Sequence, residues 1–368
     1  MSKYSLTANS RPLAALIFVQ VSTIPVFSNA APLDTLLTAR NSEPLMIPQV
    51  EFGVDLADRK IDLFDFRPKR ADGTYGPSGV YRGAHLGIGV RVHPRVWIDA
   101  QVFRRDIEYV SFAGDITSWQ AHAQWLVFSD PDNNTSAAIR VGAWGNQAPQ
   151  LRRNTSTKVK GNEFTSVTAK KPGDLQLQLD TIATTKVTPA LSLSGFAGFG
   201  FSKVYFDQVS ATRKSGSGCV YDVQFTDSDV IQTCTEKGVD IRISTPNAVT
   251  GIDVNREGQY RSRFVSAGVN VAWVQENWMA KAGVSHTYWK RDNVDKIVEL
   301  RGGKAYRSNT ILMAELGYRL SGKTTVFMRN QLMTHQFVGE IPLNYNTLTA
   351  RSHRNKYGLL TVGVVKSF

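Results

Sequence analysis

Along most of this chain apolar and polar residues alternate one for one. Ala84, Leu86, Ile88, Val90 and Val92 are interleaved with Gly83, His85, Gly87, Gly89 and Arg91. Ile98, Ala100 and Val102 alternate with Asp99 and Gln101, and Ala121, Ala123, Trp125 and Val127 with Gln120, His122 and Gln124. The same rhythm returns at Leu175-Leu177-Leu179, at Val265-Ala267-Val269-Val271-Trp273 and at Leu312-Ala314-Leu316-Tyr318-Leu320. Side chains on a strand point to opposite faces in turn, so each run predicts a strand with one apolar face and one polar or glycine face. Many runs are ten or more residues long, against a globular mode of about 5–6.

The strands come in pairs joined by short turns at 93–95, 129–133, 187–190, 275–277 and 321–323, where Pro, Gly and Asn supply turn geometry. Longer polar segments separate the pairs near 61–79, 110–117, 146–173, 207–259, 291–307 and 340–353. This layout predicts an all-β fold: a single transmembrane antiparallel β-barrel of about twelve strands, with short periplasmic turns and long extracellular loops. A soluble β-sandwich also alternates, but it has no reason to segregate short and long connections by side. The tryptophans fit two membrane interfaces, with Trp97, Trp125, Trp273 and Trp278 toward the short turns and Trp119, Trp144 and Trp289 toward the long loops. The mean hydropathy of -0.22 then reflects a hydrophilic interior, because only a closed sheet lets strands satisfy their backbone in lipid.

The chain ends Tyr357-Gly358-Leu359-Leu360-Thr361-Val362-Gly363-Val364-Val365-Lys366-Ser367-Phe368. A terminal Phe368 preceded at alternate positions by Val364, Val362 and Leu360 resembles the closing strand of Gram-negative outer-membrane β-barrel proteins. It departs from that pattern at Lys366, where an aromatic or apolar residue is usual. The resemblance implies a bacterial outer-membrane location, with periplasmic chaperones and the outer-membrane assembly machinery as partners and Phe368 as the assembly signal.

The N-terminus agrees with export. Residues 1–30 carry Lys3 and Arg11 and no acid, then an apolar stretch from Leu13 to Phe27 and Ser28-Asn29-Ala30, the pattern of a cleaved signal peptide. Gln20, Ser22, Thr23 and Pro25 interrupt that stretch, which is too short for the ~20 apolar residues of a spanning helix. The expected organisation is a signal peptide at 1–30, a periplasmic leader at 31–45 and the barrel at 46–368. Asp34 to Arg40 could form a short helix, and the leader is expected as a tail, with a small plug as the alternative.

Charge changes the picture next. The chain has 43 basic and 31 acidic residues, net +12, and loss of Lys3 and Arg11 leaves +10. Export argues against nucleic acid as the partner of that excess. Parity places His85, Arg91, Asp99, Arg105, His122, Arg140, Asp180, Lys281, Glu315, Arg319 and Arg329 inside. Arg91, Arg105, Arg140, Lys281, Arg319 and Arg329 then outnumber the acids, Asp99 and Glu315 among them, and predict a cationic solute path. The competing account is a network of paired charges bracing a narrow barrel. Glycines at 83, 87, 89, 142, 198, 200, 268, 283 and 317 remove inward volume, which favours a channel, or serve barrel curvature.

The loop at 146–173 carries Arg152, Arg153, Lys158, Lys160, Lys170 and Lys171 against Glu163. It folds inward as an anion funnel or binds lipopolysaccharide phosphates, the commoner use of such a loop. The loop at 207–259 holds Cys219 and Cys234, expected to pair in an oxidising compartment. Two thiols with no nearby His make no metal site, and no phosphate-loop, dinucleotide or zinc pattern is present, so no cofactor is expected.

The function expected from these features is diffusion of small, preferentially anionic solutes through the outer membrane. Outer-membrane lipid and lipopolysaccharide are the surrounding partners. One alternative is a non-conducting adhesin, receptor or assembly barrel acting through its long loops, favoured if lumen residues pair fully and leave no water path. Another is an interfacial lipid- or lipopolysaccharide-modifying enzyme. The latter needs a nucleophile and base together, whereas His286 and Ser285 face opposite ways. The chain is therefore read as not an enzyme.

Overall fold

A computed structural model describes residues 34–368, apart from 41–42, 58–79, 110–111, 131, 133, 154–156, 160–161, 215–218, 237–238, 251–252, 336, 348 and 355. The signal-peptide reading of 1–30 and the whole of the first long loop at 61–79 fall outside the described residues. No helix among those described is long and apolar enough to cross a membrane; strands do the spanning.

The chain opens with β1 (Gln49–Ala57), β2 (Val80–His93), β3 (Val96–Tyr109), β4 (Phe112–Asp130) and β5 (Thr135–Gln147). Three shorter strands follow, β6 (Gln150–Arg153), β7 (Thr157–Val159) and β8 (Asn162–Lys170), and then the long pair β9 (Gly173–Lys186) and β10 (Leu191–Tyr205). Next come β11 (Gln208–Lys214), β12 (Val220–Phe225), β13 (Asp229–Glu236) and β14 (Val239–Pro246), with α1 (Asn247–Thr250) and α2 (Val254–Gly258). The chain then forms β15 (Tyr260–Gln275), β16 (Trp278–Arg291), α3 (Val294–Leu300), β17 (Ser308–Ser321), β18 (Thr324–Met333) and β19 (Tyr357–Ser367).

Twelve of these strands make a ring. β5 pairs with β9 and β10 with β15, which leaves the intervening short strands outside the wall. β1 pairs antiparallel with β2 on one side and β19 on the other, so Phe52 lies opposite both Leu86 and Val364. The last strand thus closes the first, and the sheet has no free edge to leave unpaired in hydrocarbon.

The alternation sorts the ring's two faces. Leu86, Val102, Leu177, Val265 and Val362 are about half exposed on the outside, while Glu51, His85, Gln101, Arg140 and Lys281 are buried inside. An apolar exterior around a polar interior inverts a soluble barrel and suits only a lipid surround. Bulges at Arg91/His93, Leu126/Phe128 and Arg319/Ser321 lie by the short turns. Such rim positions are where an extra residue re-aims a strand, and here the bulge turns both Val127 and Phe128 outward.

Four sequence expectations need correction. The tryptophans do not form two outward belts: Trp119, Trp125, Trp273 and Trp278 face outward, but Trp97, Trp144 and Trp289 are buried inside. The inward three share parity with lumen residues, and strand parity overrides proximity to an interface. The stretch at 110–117 is not a long loop, because β3 and β4 pair out to Tyr109↔Phe112. The segments at 146–173 and 207–259 are not open loops either. β8 pairs with β6, β7 and β11, and β11 to β14 pair in succession, so an external sheet stands on the rim. Cys219 and Cys234 are disulfide-bonded in it, with Cα atoms 6.5 Å apart.

The last correction concerns the leader. Residues 34–40 form no helix and do not hang free in the periplasm: Asp34, Thr35, Leu36, Leu37, Ala39 and Arg40 are buried in the lumen. The Ala39 N–H and the Leu37 carbonyl bond the barrel wall and the Leu36 N–H bonds the Asp34 side chain, in place of helical backbone bonds.

Val102 sits midway along β3 on the outer face. Val102→Arg is expected to lose about 2–4 kcal/mol of stability, as a cation at the bilayer midplane does, in urea unfolding from phospholipid vesicles. Unchanged stability would mean that this face does not meet hydrocarbon.

Candidate functional site in the barrel lumen

The wall supplies the site through inward positions of neighbouring strands. Arg140 of β5 lies opposite Asp180 of β9 in the register, and their side chains meet at 2.8 Å. Lys281 of β16 lies opposite Glu315 of β17, which lies opposite Arg329 of β18. Glu315 therefore takes both cations, at 2.9 and 2.5 Å. On β1 and β2, His85 reaches Glu51 at 3.0 Å and Asp55 at 3.3 Å, and Thr361 of β19 donates to Asp55 at 2.6 Å. His122 meets Asp99 at 2.9 Å, and Trp97 Nε1 donates to the other Asp99 oxygen at 2.9 Å. Buried charges are retained in such a site only when paired in this way.

The leader enters this belt from the short-turn end. Leu45 bridges to Arg91, Arg91 Nη1 donates to the Glu43 carbonyl at 2.9 Å, and the Arg40 guanidinium lies 4.4 Å from the centre of the Trp97 ring. Further in, Ala39 N donates to Thr184 Oγ1 at 2.8 Å, and Asn270 Nδ2 donates to the Leu37 carbonyl at 2.7 Å. The Thr35 and Ser285 hydroxyls are 2.8 Å apart. Asp34 reaches the middle of the barrel, in the field of Arg140, Arg329 and Lys281. Leu37 and Ala39 add a small apolar contact with Leu126, Ala138, Ile182 and Phe196.

A second segment closes the opposite end. The connection between β18 and β19 folds inward instead of out, burying Phe337, Val338, Ile341, Leu343 and Tyr345. With Tyr81, Trp144, Phe264 and Trp289 of the wall they form one apolar core across the outer part of the lumen. Gly339 has φ +86°, and a Cβ there would collide with Trp289, so this turn needs glycine twice over. Glu340 points down from the segment and pairs with the buried Arg105 at 3.0 Å. Backbone groups are held as well: Asn146 donates to the Glu340 carbonyl, Tyr260 to the Pro342 carbonyl, and Leu343 N donates to Asp174. Burial pushes the Tyr345 phenol up, so it stays protonated and donates to Asp295 at 3.1 Å.

All eleven residues that parity places inside lie on the inner face, but in different settings. Arg105, Arg140, Lys281, Arg329 and Glu315 are fully buried and paired. Asp99 belongs to the His122 pair. Arg91 and Arg319 sit at the short-turn rim and are only partly buried. The expected excess of lumen cations is not found. Glu51 and Asp55 on β1, with Asp34 and Glu340 from the two inserted segments, offset it. Glu51 and Asp55 are not among the residues assigned inward from sequence, although Glu51-Phe52-Gly53-Val54-Asp55 alternates as the other strands do.

The inward glycines are also not empty space. A Cβ on Gly283 would come 2.8 Å from the Thr35 carbonyl of the leader, and one on Gly142 would come 2.6 Å from the His122 ring. These glycines seat neighbouring groups against the wall. Beside Glu340 of the outer inserted segment a cavity of about 30 Å³ remains, lined by His85, Arg105 and Arg329 of the wall among others.

In the basic outer segment, Arg152 and Lys170 are exposed and Lys171 pairs with Asp207 at 3.2 Å. Arg153 is half-buried, while Lys160 and the side chain of Lys158 lie outside the described residues. Arg152, Arg153 and Lys170 stand on the external sheet and not in the lumen. His286 faces outward with Thr310 Oγ1 at 2.8 Å, and no group of three or more potential metal ligands occurs among the described residues.

Together these features define a closed, lipid-facing β-barrel of the outer-membrane type whose lumen holds two segments of its own chain. No protein-family model matches the chain, and neither does any curated protein. Solved barrels align with most of it at low identity. The translocator domain of the autotransporter NalP from Neisseria meningitidis has TM-score 0.44 and 10% identity over 87% of each chain. The NanC porin has TM-score 0.41 and 9% identity over 87% of this chain and 100% of its own. The CymD monoaromatic hydrocarbon channel has TM-score 0.37 and 11% identity over 88% of this chain and 89% of its own. No functional reading of this chain rests on likenesses of that size.

The Arg105–Glu340 pair gives a direct check on the inserted outer segment. Glu340→Ala leaves Arg105 buried without its carboxylate, a change that costs about 3–5 kcal/mol. Hydrogen exchange over 337–350 is expected to accelerate while strand amides stay protected. Equal protection in the variant would show that the pair does not hold the segment.

Proposed function

We propose that this chain is a gated outer-membrane channel for small solutes, held shut by its leader and by the β18–β19 connection. The observation that carries this reading is the leader itself: a separate, extended segment lies in the lumen against a polar wall. Thr35, Leu37 and Ala39 meet that wall through single hydrogen bonds, each of which water can replace at little net cost. A wall of Gln, Ser, Asn and paired charges suits an aqueous path once the segment withdraws, whereas a permanently filled barrel is better stabilised by apolar packing.

Both inserted segments bring a carboxylate to lumen cations, Asp34 to the Arg140, Lys281 and Arg329 group and Glu340 to Arg105. Withdrawal removes those acids and frees Arg105, while Arg140, Lys281 and Arg329 keep their wall partners Asp180 and Glu315 but lose the opposing field of Asp34. The preference for anions expected from sequence is therefore assigned to the open state and not to the closed one. A second reading is supported by the continuous apolar core at the outer end: a barrel that never conducts and acts through its external sheet.

Charge reversal separates the two. Asp34→Lys combined with Glu340→Lys sets a cation against cations at both insertions without touching the wall. In planar bilayers the unaltered chain is expected to show rare, brief openings. The double variant, checked for heat-modifiable gel mobility, is expected to show discrete steps at least ten times as often, with an anion-favouring reversal potential under a salt gradient. A folded double variant that stays silent would favour the non-conducting reading, and openings without anion preference would remove the assigned role of the lumen cations.

A further inference from the structure

Outside the lumen, the external sheet carries its own apolar core. Phe164 of β8, Ala211 of β11, Val223 of β12 and Val230 of β13 are buried together, with Val167, Tyr221, Phe225 and Val254 packed around them. This cluster is separate from the core that fills the outer lumen. Between them lies a half-enclosed pocket of about 110 Å³. Phe164, Val167, Ala169 and Phe225 line its sheet side and Leu343 its lumen side. At its polar margin, Arg301 is already engaged by Glu257 at 2.5 Å and by Thr347 Oγ1 at 3.3 Å.

Two apolar cores that face each other across a gap forgo the dispersion contacts that direct packing supplies. An apolar cavity of roughly 150 Å³ stays dry and takes up benzene; this pocket has a comparable size and apolar walls on its sheet and lumen sides, with Arg153, Asn344, Asn346, Thr349 and the Glu257–Arg301 pair as its polar part. Its margin holds a charge pair satisfied within the protein, which favours an uncharged guest over an ionic one. We infer that this pocket is a binding site for a small uncharged apolar solute, about the size of a single six-membered carbon ring. Leu343, Asn344, Asn346, Thr347 and Thr349 of the inserted outer segment contribute to the same pocket, so the guest contacts the element that fills the lumen mouth. The inference goes beyond the channel reading and does not depend on it, since binding is measured without any current.

The test uses the full chain in lipid nanodiscs with toluene as probe, the amount retained being compared with protein-free nanodiscs by headspace partition. The expected result is a saturable excess of one toluene per chain. Ala169→Trp and Val167→Phe, which fill the pocket from β8, are expected to weaken that excess at least tenfold. Heat-modifiable mobility and an intact Cys219–Cys234 bond identify folded variants. Benzoate, the same ring with a charge, is expected to show no saturable excess. The inference is overturned if toluene shows only partition into lipid, or if both folded filling variants retain the full excess. Equal binding of benzoate overturns the assignment to uncharged solutes.

Discussion

A strand that crosses lipid must find a hydrogen-bond partner for every backbone group, and this single requirement organises the whole molecule. β1 meets it by pairing with β19, and closure then fixes the parity of every wall residue. Apolar side chains go to lipid and the remainder go inward, whether or not the interior can solvate them. The lumen chemistry is thus a consequence of the ring. Arg105, Arg140, Lys281 and Arg329 are inside because their strands admit no other register.

Enclosed charge creates the second constraint. A buried ion without a partner is costly, and Arg105, Arg140, Lys281 and Arg329 are each matched. The wall supplies Asp180 and Glu315 for this purpose, while Asp34 and Glu340 arrive on segments that are not part of the wall. The interior therefore divides into an apolar outer core around the β18–β19 connection, a polar belt at mid-depth and the leader below. Two of these three layers consist in part of chain that is not itself a strand of the ring.

The barrel was legible in the sequence because a two-residue period is local and strong. The strand pairs, the short turns, the inward placement of Arg140, Glu315 and Arg329, and the Cys219–Cys234 bond all followed from spacing or compartment. The filled lumen was not legible. Asp34 to Arg40 has no periodicity, and its partners Thr184, Asn270 and Ser285 lie far along the chain. The inward fold of the β18–β19 connection was equally hidden. Its Phe337, Val338, Ile341, Leu343 and Tyr345 form an apolar cluster inside a loop, and that density was the available signal. The strands of 146–173 and 207–259 were obscured by polar, short runs that pair mainly with each other, touching the wall at Ala113↔Arg152. Glycines gave the most misleading cue, because removed volume looks the same in sequence whether it stays empty or seats a neighbour.

The central claim is that the chain's own leader occupies the lumen. Thr35→Cys with Ser285→Cys places two thiols where hydroxyls now lie 2.8 Å apart. In membranes containing the folded protein, the account predicts a spontaneous disulfide between these positions, identified by mass spectrometry as a linked peptide pair beside the native Cys219–Cys234 bond. A pair that stays reduced, with Cys at position 35 reacting freely with a bulky membrane-impermeant thiol reagent, would place the leader outside the barrel and contradict the account.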